Sequence, residues 1–258
     1  MFGPRLAGKV AFITGAGMGR GRAAAVLFAK HGACVIVADI NHDAALSTVN
    51  AIRRDGGDAF ATTGDVGTQS DVKRMVEDGV SHFGGLHIRY NNAGVLWKDR
   101  DKSVVDTVEH WWDRVIGINL KGVYFASKFG IPHLIAAGGG STINIGSVSA
   151  LRGFTMPDYG YTSSKGPLIS LTKSLAVQFP RQGIRANIIN PGIVKTPMQA
   201  PYLADPGKRA SFEGATPLGR LARPEEIAQV ALFLASEESS CVTGAEIPVD
   251  GGYTATGG

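Results

Sequence analysis

Short apolar runs alternate with longer amphipathic stretches along most of the sequence. Residues 9–13 (KVAFI) read as a first strand, and 34–38 (CVIVA) as a second, a continuous apolar run as expected of a strand buried on both faces of a parallel sheet. Between them, Ala24, Leu27 and Phe28 fall at i, i+3 and i+4, an apolar stripe that predicts a helix over 20–31 stopped by His31-Gly32. The same reading predicts strands near 58–62, 86–90, 142–146, 184–189 and 245–249. It predicts helices at about 42–55, 69–83, 106–117, 120–137, 160–179 and 224–235, with Pro167 expected to bend the first turns of the 160–179 helix. Residues 195–220 read as irregular. Seven strands alternating with helices predict an α/β fold, a doubly wound parallel sheet with right-handed crossovers. No linker composition or internal repeat divides residues 1–258, so a single domain is expected.

Composition changes this picture at one point. The 258 residues include 35 glycines, about 14%, against a usual value near 7%. Glycine at that level, without a collagen period, points to backbone that approaches ligands or neighbouring elements closely. Hydrophobic residues make up 44% and charged residues 19%, which excludes intrinsic disorder. The net charge of +4 comes from scattered residues with no basic run, so neither nucleic acid nor a membrane surface is an expected partner. Cys34 and Cys241 stand far apart and outside any metal or redox spacing, so no metal site is expected and a reducing, cytoplasmic setting is. No apolar run approaches the ~18 residues of a membrane span, and Met1 to Arg5 do not lead into a signal-peptide core.

The predicted first strand runs into Thr14-Gly15-Ala16-Gly17-Met18-Gly19-Arg20-Gly21, and a helix follows. A glycine-rich turn between strand and helix presents backbone N–H groups and a helix dipole to a pyrophosphate. This is a Rossmann-type arrangement, with Gly15 for the tight turn, Gly19 for approach to phosphate and Gly21 for helix packing. Asp39 ends the second strand, 24 positions after Gly15, where a carboxylate can accept bonds from both hydroxyls of an adenosine ribose. It would repel a 2′-phosphate, and neither Met18 nor Ile40 beside it offers a compensating cation, so NAD(H) is the expected cofactor. Tyr161 and Lys165 are i and i+4 on one helix face. A lysine cation there would favour the phenolate and lower a pKa that ordinarily lies near 10, which suits proton transfer during hydride transfer. Tyr159 has Ser163 at the corresponding position and gains no cation.

Taken together, the sequence resembles the short-chain dehydrogenase/reductase family over essentially its whole length. The marks are Thr14-Gly15-x-x-x-Gly19-x-Gly21, Asp65-Val66, Asn91-Asn92-Ala93-Gly94, Asn119, Ser147, Tyr161-x-x-x-Lys165, Pro191-Gly192 with Thr196, and Val249-Asp250-Gly251-Gly252. The resemblance implies that Tyr161 is the acid–base, that Lys165 lowers its pKa and holds the nicotinamide ribose, and that Ser147 hydrogen-bonds the substrate oxygen. It implies that Asn119 supports a water relaying protons to Lys165. Gly17, Met18 and Ile40 would join Gly15, Gly19 and Asp39 in the cofactor site. Asp65 and Val66 would touch the adenine, Asn92, Ala93 and Gly94 would line the cofactor, and Pro191, Gly192, Val194 and Thr196 would contact its nicotinamide half. The sequence departs from the pattern at Arg20, where a small apolar residue is usual, and at Gly146, where a serine often stands. Ser147 also precedes Tyr161 by 14 positions, and Phe154 to Asp158 are expected to absorb the extra length in a loop.

Substrate choice should lie in the loops after the strands. Leu96, Trp97 and Lys98 follow the fourth strand, Arg152 and Phe154 the fifth, and Met198 and Tyr202 the sixth. They predict a mainly apolar pocket for a small alcohol or ketone, covered by a lid at about 198–215. The expected activity is interconversion of a secondary alcohol and a ketone. A silent NAD-binding sensor on the same fold is the alternative. Surplus apolar residues on the long helices, an edge strand at 245–249 and the resemblance together predict a homotetramer.

Overall fold

The computed structural model describes residues 3–155 and 158–256. Met156 and Pro157, part of the predicted loop at 154–158, lie outside them. Seven strands form one parallel sheet: β1 (Val10–Thr14), β2 (Cys34–Asp39), β3 (Ala59–Thr63), β4 (Ile88–Asn91), β5 (Gly140–Ile145), β6 (Ile184–Pro191) and β7 (Glu246–Val249). Their order is β3-β2-β1-β4-β5-β6-β7. Every pair is parallel, with registers such as Phe12 beside Ile36 and Arg89. The continuous apolar runs do what their pattern predicts, since all of β1 and most of β2 are buried.

Alternate residues of the strands feed two cores. On one face α1 (Gly19–Lys30), α2 (His42–Arg54) and α9 (Pro224–Ala235) bury Phe28, Val49 and Leu232 against Ile13, Val37 and Ile143. On the other, α3 (Gln69–Phe83), α5 (Gly122–Ala136) and α6 (Tyr159–Gln178) bury Met75, Leu134 and Leu175 against Phe12, Ile36 and Ala186. Arg89 of β4 is wholly buried on this second face. Its Nη2 donates to Ser127 Oγ at 2.8 Å, and burial lowers its pKa to about 9.

Two expectations need revision. The two helices expected at 106–117 and 120–137 form one helical run, α4 (Glu109–Ile116) joined to α5 through a wide turn at Gly117–Lys121. Its start is delayed because Ser103 to Thr107 close a turn, with Lys102 N donating to Thr107 Oγ1 and Thr107 N to Ser103 O. The 195–220 stretch is not wholly irregular. It holds α7 (Ala200–Leu203) and α8 (Pro206–Gly214), and Asp205 Oδ1 caps α8 by accepting from Gly207 N and Lys208 N. Pro201 and Pro206 sit in first turns, where the missing N–H costs nothing. The helix α6 spans 20 residues and contains Pro167. Among the described residues, no helix is long and apolar enough to cross a membrane.

Winding reverses between β1 and β4. The chain steps outward from β1 to β3, then returns to the other side of β1 at β4. A doubly wound sheet opens a crevice at such a point, beyond the carboxyl ends of the strands.

Candidate active site

The crevice is a cavity of about 480 Å³ that extends from the glycine turn to Ser147 and Tyr161. The turn is shaped by sterics. Gly15 and Gly19 have φ of 63° and 55°, a left-handed backbone that side chains rarely adopt. A Cβ on Gly21 would lie 2.0 Å from the Gly15 carbonyl oxygen, so only glycine lets α1 begin against the turn. Met18 precedes α1 in an extended conformation and makes no side-chain cap. The first-turn amides of α1 are therefore left free of a side-chain acceptor beside the cavity.

Asp39 is 8% exposed and lines the cavity at the end of β2. Its Oδ2 accepts from Gly17 N at 2.8 Å and its Oδ1 from Asn41 N at 2.9 Å. The carboxylate thus holds the glycine turn against β2, and a carboxylate's remaining lone pairs stay available to a ligand. This second role had no sequence signal, because Gly17 and Asp39 are joined only by the fold. Ile40, Asp65 and Val66 continue the wall. Asp65 pairs with Arg114 at 3.2 Å and accepts from Gly67 N.

Asn92 stitches the other wall to the turn. Its Nδ2 donates to the Thr14 and Gly15 carbonyl oxygens, and its backbone N–H and that of Ala93 donate to Thr14 Oγ1, all at 3.1 Å. Gly94 follows, and a Cβ there would lie 3.1 Å from Asn119 Oδ1 and 3.6 Å from Lys165 Nζ. Asn119 is fully buried on the wide turn. Its Oδ1 accepts from Val95 N at 2.8 Å, and its Nδ2 donates to Val95 O and Ser164 Oγ at 3.0 Å. Ser164 Oγ in turn donates to Tyr161 O at 2.7 Å. Asn119 therefore ties the loop after β4 to the helix that carries Tyr161. Pro191, Gly192, Val194 and Thr196 close the cavity from the end of β6, with the Thr196 side chain set against Gly19.

Lys165 is 2% exposed, and its Nζ donates to Ile145 O at 2.8 Å and lies 5.7 Å from the Tyr161 ring centroid. Burial lowers its pKa to about 7, with the Arg20 charge adding to the effect. Burial also raises the pKa of Tyr161, while Arg20 and a hydrogen bond from Ser147 act in the opposite sense. Desolvation thus acts on both partners, each toward its neutral form. Ser147 is oriented by its own N–H donating to Asn190 Oδ1 at 3.1 Å. That contact explains Gly146, since a Cβ there would lie 2.0 Å from Asn190 Oδ1. Arg20 lines the cavity, and its charge is felt by Tyr161 and Lys165.

The substrate-side expectations divide. Leu96, Phe154 and Met198 line the cavity. Trp97, Arg152 and Tyr202 are not among its lining residues. Trp97 packs edge-on against Trp111, with ring centroids 5.5 Å apart. Arg152 donates to Tyr253 O at 3.2 Å and stacks over that ring. Tyr202 lies beneath the Lys98 ammonium at 4.0 Å. The sequence reading missed Asp101, a loop residue 1% exposed, whose Oδ1 and Oδ2 accept from Gly160 N and Tyr161 N at 2.7 Å. An acid within the charged run 98–102 carries no sign that it caps a helix some 60 residues away.

A glycine turn at a sheet switch point, an acid at the end of β2 and a buried tyrosine–lysine pair define a class of nucleotide-dependent oxidoreductases. Comparison with known proteins agrees. The family described as enoyl-(acyl carrier protein) reductase matches residues 15–254. The chain is 41% identical over 246 residues to cyclohexanol dehydrogenase of Acinetobacter sp. (strain SE19), covering 95% of each. It is 38% identical over 257 residues to meso-2,3-butanediol dehydrogenase of Serratia marcescens, covering 98% of each. A gluconate 5-dehydrogenase from Burkholderia cenocepacia J2315, solved with NADP and tartrate, superposes with a TM-score of 0.92 at 31% identity, covering 98% of each chain. The chain belongs to the short-chain dehydrogenase/reductase family, and it is an oxidoreductase of the kind that uses a nicotinamide cofactor.

Asp101→Ala removes both acceptors from the start of α6. It should lower stability by about 1–2 kcal/mol, with Asp101→Asn, which keeps one acceptor oxygen, losing less. Denaturant titration of the three proteins reads the difference, and equal midpoints would show that the cap contributes nothing.

Proposed function

We propose that this chain is an NAD(H)-dependent dehydrogenase interconverting a secondary alcohol and a ketone, with Tyr161 as acid–base. The observation that carries the reading is the single cavity joining Asp39 and the glycine turn to the hydroxyls of Ser147 and Tyr161. Its volume falls within the ~300–1,000 Å³ common for small-molecule and cofactor sites. The cofactor fits this lining: the uncapped first turn of α1 suits a pyrophosphate, and Asp39 suits ribose hydroxyls. Gly15, Gly17, Met18, Gly19 and Ile40 would surround that half with Asp65, Val66, Asn92 and Ala93. Gly94, Lys165, Pro191, Gly192, Val194 and Thr196 would surround the nicotinamide half. When bound, the nicotinamide supplies the hydride acceptor or donor.

The chain's own part is to orient the substrate and move its proton. Ser147 donates to the substrate oxygen, and Tyr161 takes the hydroxyl proton in oxidation or returns it in reduction. Lys165, with its pKa near 7, holds the ribose and carries a charge close to Tyr161 that varies about neutral pH. Asn119 holds the Val95 loop in place, and a water on that turn would pass protons onward. The α7–α8 segment is proposed as the lid. A sensor without turnover is disfavoured, because the serine, tyrosine and lysine stand together in one buried cluster. The setting proposed is the cytoplasm, in keeping with the unpaired Cys34 and Cys241.

Cofactor choice rests on charge. A 2′-phosphate at Asp39 would meet a carboxylate, and Arg20 exerts its charge toward Tyr161 and Lys165. The expected result is a higher kcat/KM with NAD than with NADP, and a narrower gap in Asp39→Ala. Equal or better efficiency with NADP overturns the choice.

Oxidation needs the phenolate of Tyr161, whose pKa burial raises. Oxidation should therefore climb with pH into the alkaline range, while reduction, which uses the phenol, declines there. Tyr161→Phe should lower kcat by about 10²–10⁴-fold with NAD affinity retained. Near-normal turnover in this variant refutes the assignment.

A homotetramer is proposed from the outer faces of the long helices. Val177 is 76% and Tyr124 48% exposed, and Ile135 and Tyr159 are also exposed on α5 and α6. The edge strand β7 has one side open to another chain. Light scattering after size exclusion should give about four times the 27.0 kDa chain mass, and a mass near 27.0 kDa overturns it.

A further inference from the structure

In the substrate half of the cavity, two ionisable side chains, Lys98 and Asp158, stand among apolar walls formed by Leu96, Phe154, Met198 and Phe212. Lys98 enters from the loop after β4. Its Nζ lies 4.0 Å from the Tyr202 ring centroid and 5.9 Å from that of Phe212, so α7 and α8 pack their aromatic faces against it. Among the described residues, no carboxylate forms an ion pair with this ammonium. Asp158 acts on it only from beyond 4.0 Å, and its Oδ1 accepts from Thr162 Oγ1 at the start of α6. Burial pushes the Asp158 pKa up, Lys98 opposes the rise and Asp101 adds to it.

A half-buried cation held by ring faces, with no anion in contact, has an unmet electrostatic demand. The rings present negative faces, so they hold a cation and repel an anion. An anionic ligand can therefore meet the ammonium only from the cavity. We propose that Lys98 reads the substrate: the alcohol or ketone used by this chain carries a carboxylate, remote from the reacting carbon, that pairs with Lys98 beneath the α7–α8 segment. The assignment rests on the alcohol–ketone reading of the same cavity, with the reacting carbon at Ser147 and Tyr161.

Two measurements test it, one of them independent of turnover. In the presence of NAD, calorimetric titration compares cyclohexanecarboxylate with its neutral isostere cyclohexanecarboxamide. The wild-type chain should prefer the carboxylate by roughly 10- to 100-fold, the worth of one charge-assisted hydrogen bond. Lys98→Met should abolish the preference, and Lys98→Arg should restore most of it. Kinetics with 4-hydroxycyclohexanecarboxylate and cyclohexanol should show the KM ratio of the two collapsing toward one in Lys98→Met, with kcat for the acid changed less than its KM. Equal wild-type affinity for the two titrants overturns the proposal. So does a Lys98→Met effect of the same size on both, which is what a purely structural latch to Tyr202 would give. If the carboxylate preference depends on Lys98 while neither alcohol is oxidised with either cofactor, the reading of the reaction fails and the anion subsite stands.

Discussion

Where β1 and β4 run side by side, the sheet changes its direction of winding, and both strands end at an open crevice. The polar groups at that seam have to be satisfied by one another. Thr14 Oγ1 accepts from the backbone of Asn92 and Ala93, and the Asn92 amide donates to the Thr14 and Gly15 carbonyls. Because these groups are buried or nearly so, breaking any one strands a polar partner away from water. The glycine turn above β1 and the Asn92–Gly94 run above β4 are thereby held as one rim. Asp39 fastens that rim to β2 through Gly17, and Asn119 fastens it to α6 through Val95 and Ser164.

Around this rim the same backbone geometry does two jobs. Glycines that satisfy the packing of α1 on the turn also leave backbone N–H groups facing the cavity. Asp101 secures the first amides of α6 and so sets the position of Tyr161, although it comes from a loop otherwise concerned with the substrate half. Burial governs the electrostatics of the pair. Desolvation moves Tyr161 and Lys165 in opposite directions, each toward its neutral form, and the positive charge of Arg20 reaches both.

The strands, the helices and the glycine turn were legible because their signals are local. Continuous apolar runs demand burial on both faces, apolar spacing of three and four marks a helix, and a glycine turn between the two is a steric statement. Misreadings arose where local signals conflict with context. Pro201 and Pro206 look like breakers in isolation but begin short helices, one of them capped by Asp205. The break expected between 117 and 120 was absorbed by a wide helical turn that keeps α4 and α5 continuous. Trp97 and Arg152, both plausible pocket residues by position, found partners in Trp111 and Tyr253.

By itself the sequence determined the order of elements, the parallel sheet and the set of motif residues, since periodicity and backbone sterics act over a few positions. Only the tertiary structure decided which charges lose their water. Asp101 beside Gly160 and Tyr161, Asp39 beside Gly17, Arg20 acting on Lys165, and Lys98 against Tyr202 and Phe212 are each separated by 20 or more positions in the chain. The strength of a charge depends on the dielectric and partners around it, and those are assembled only when distant segments meet.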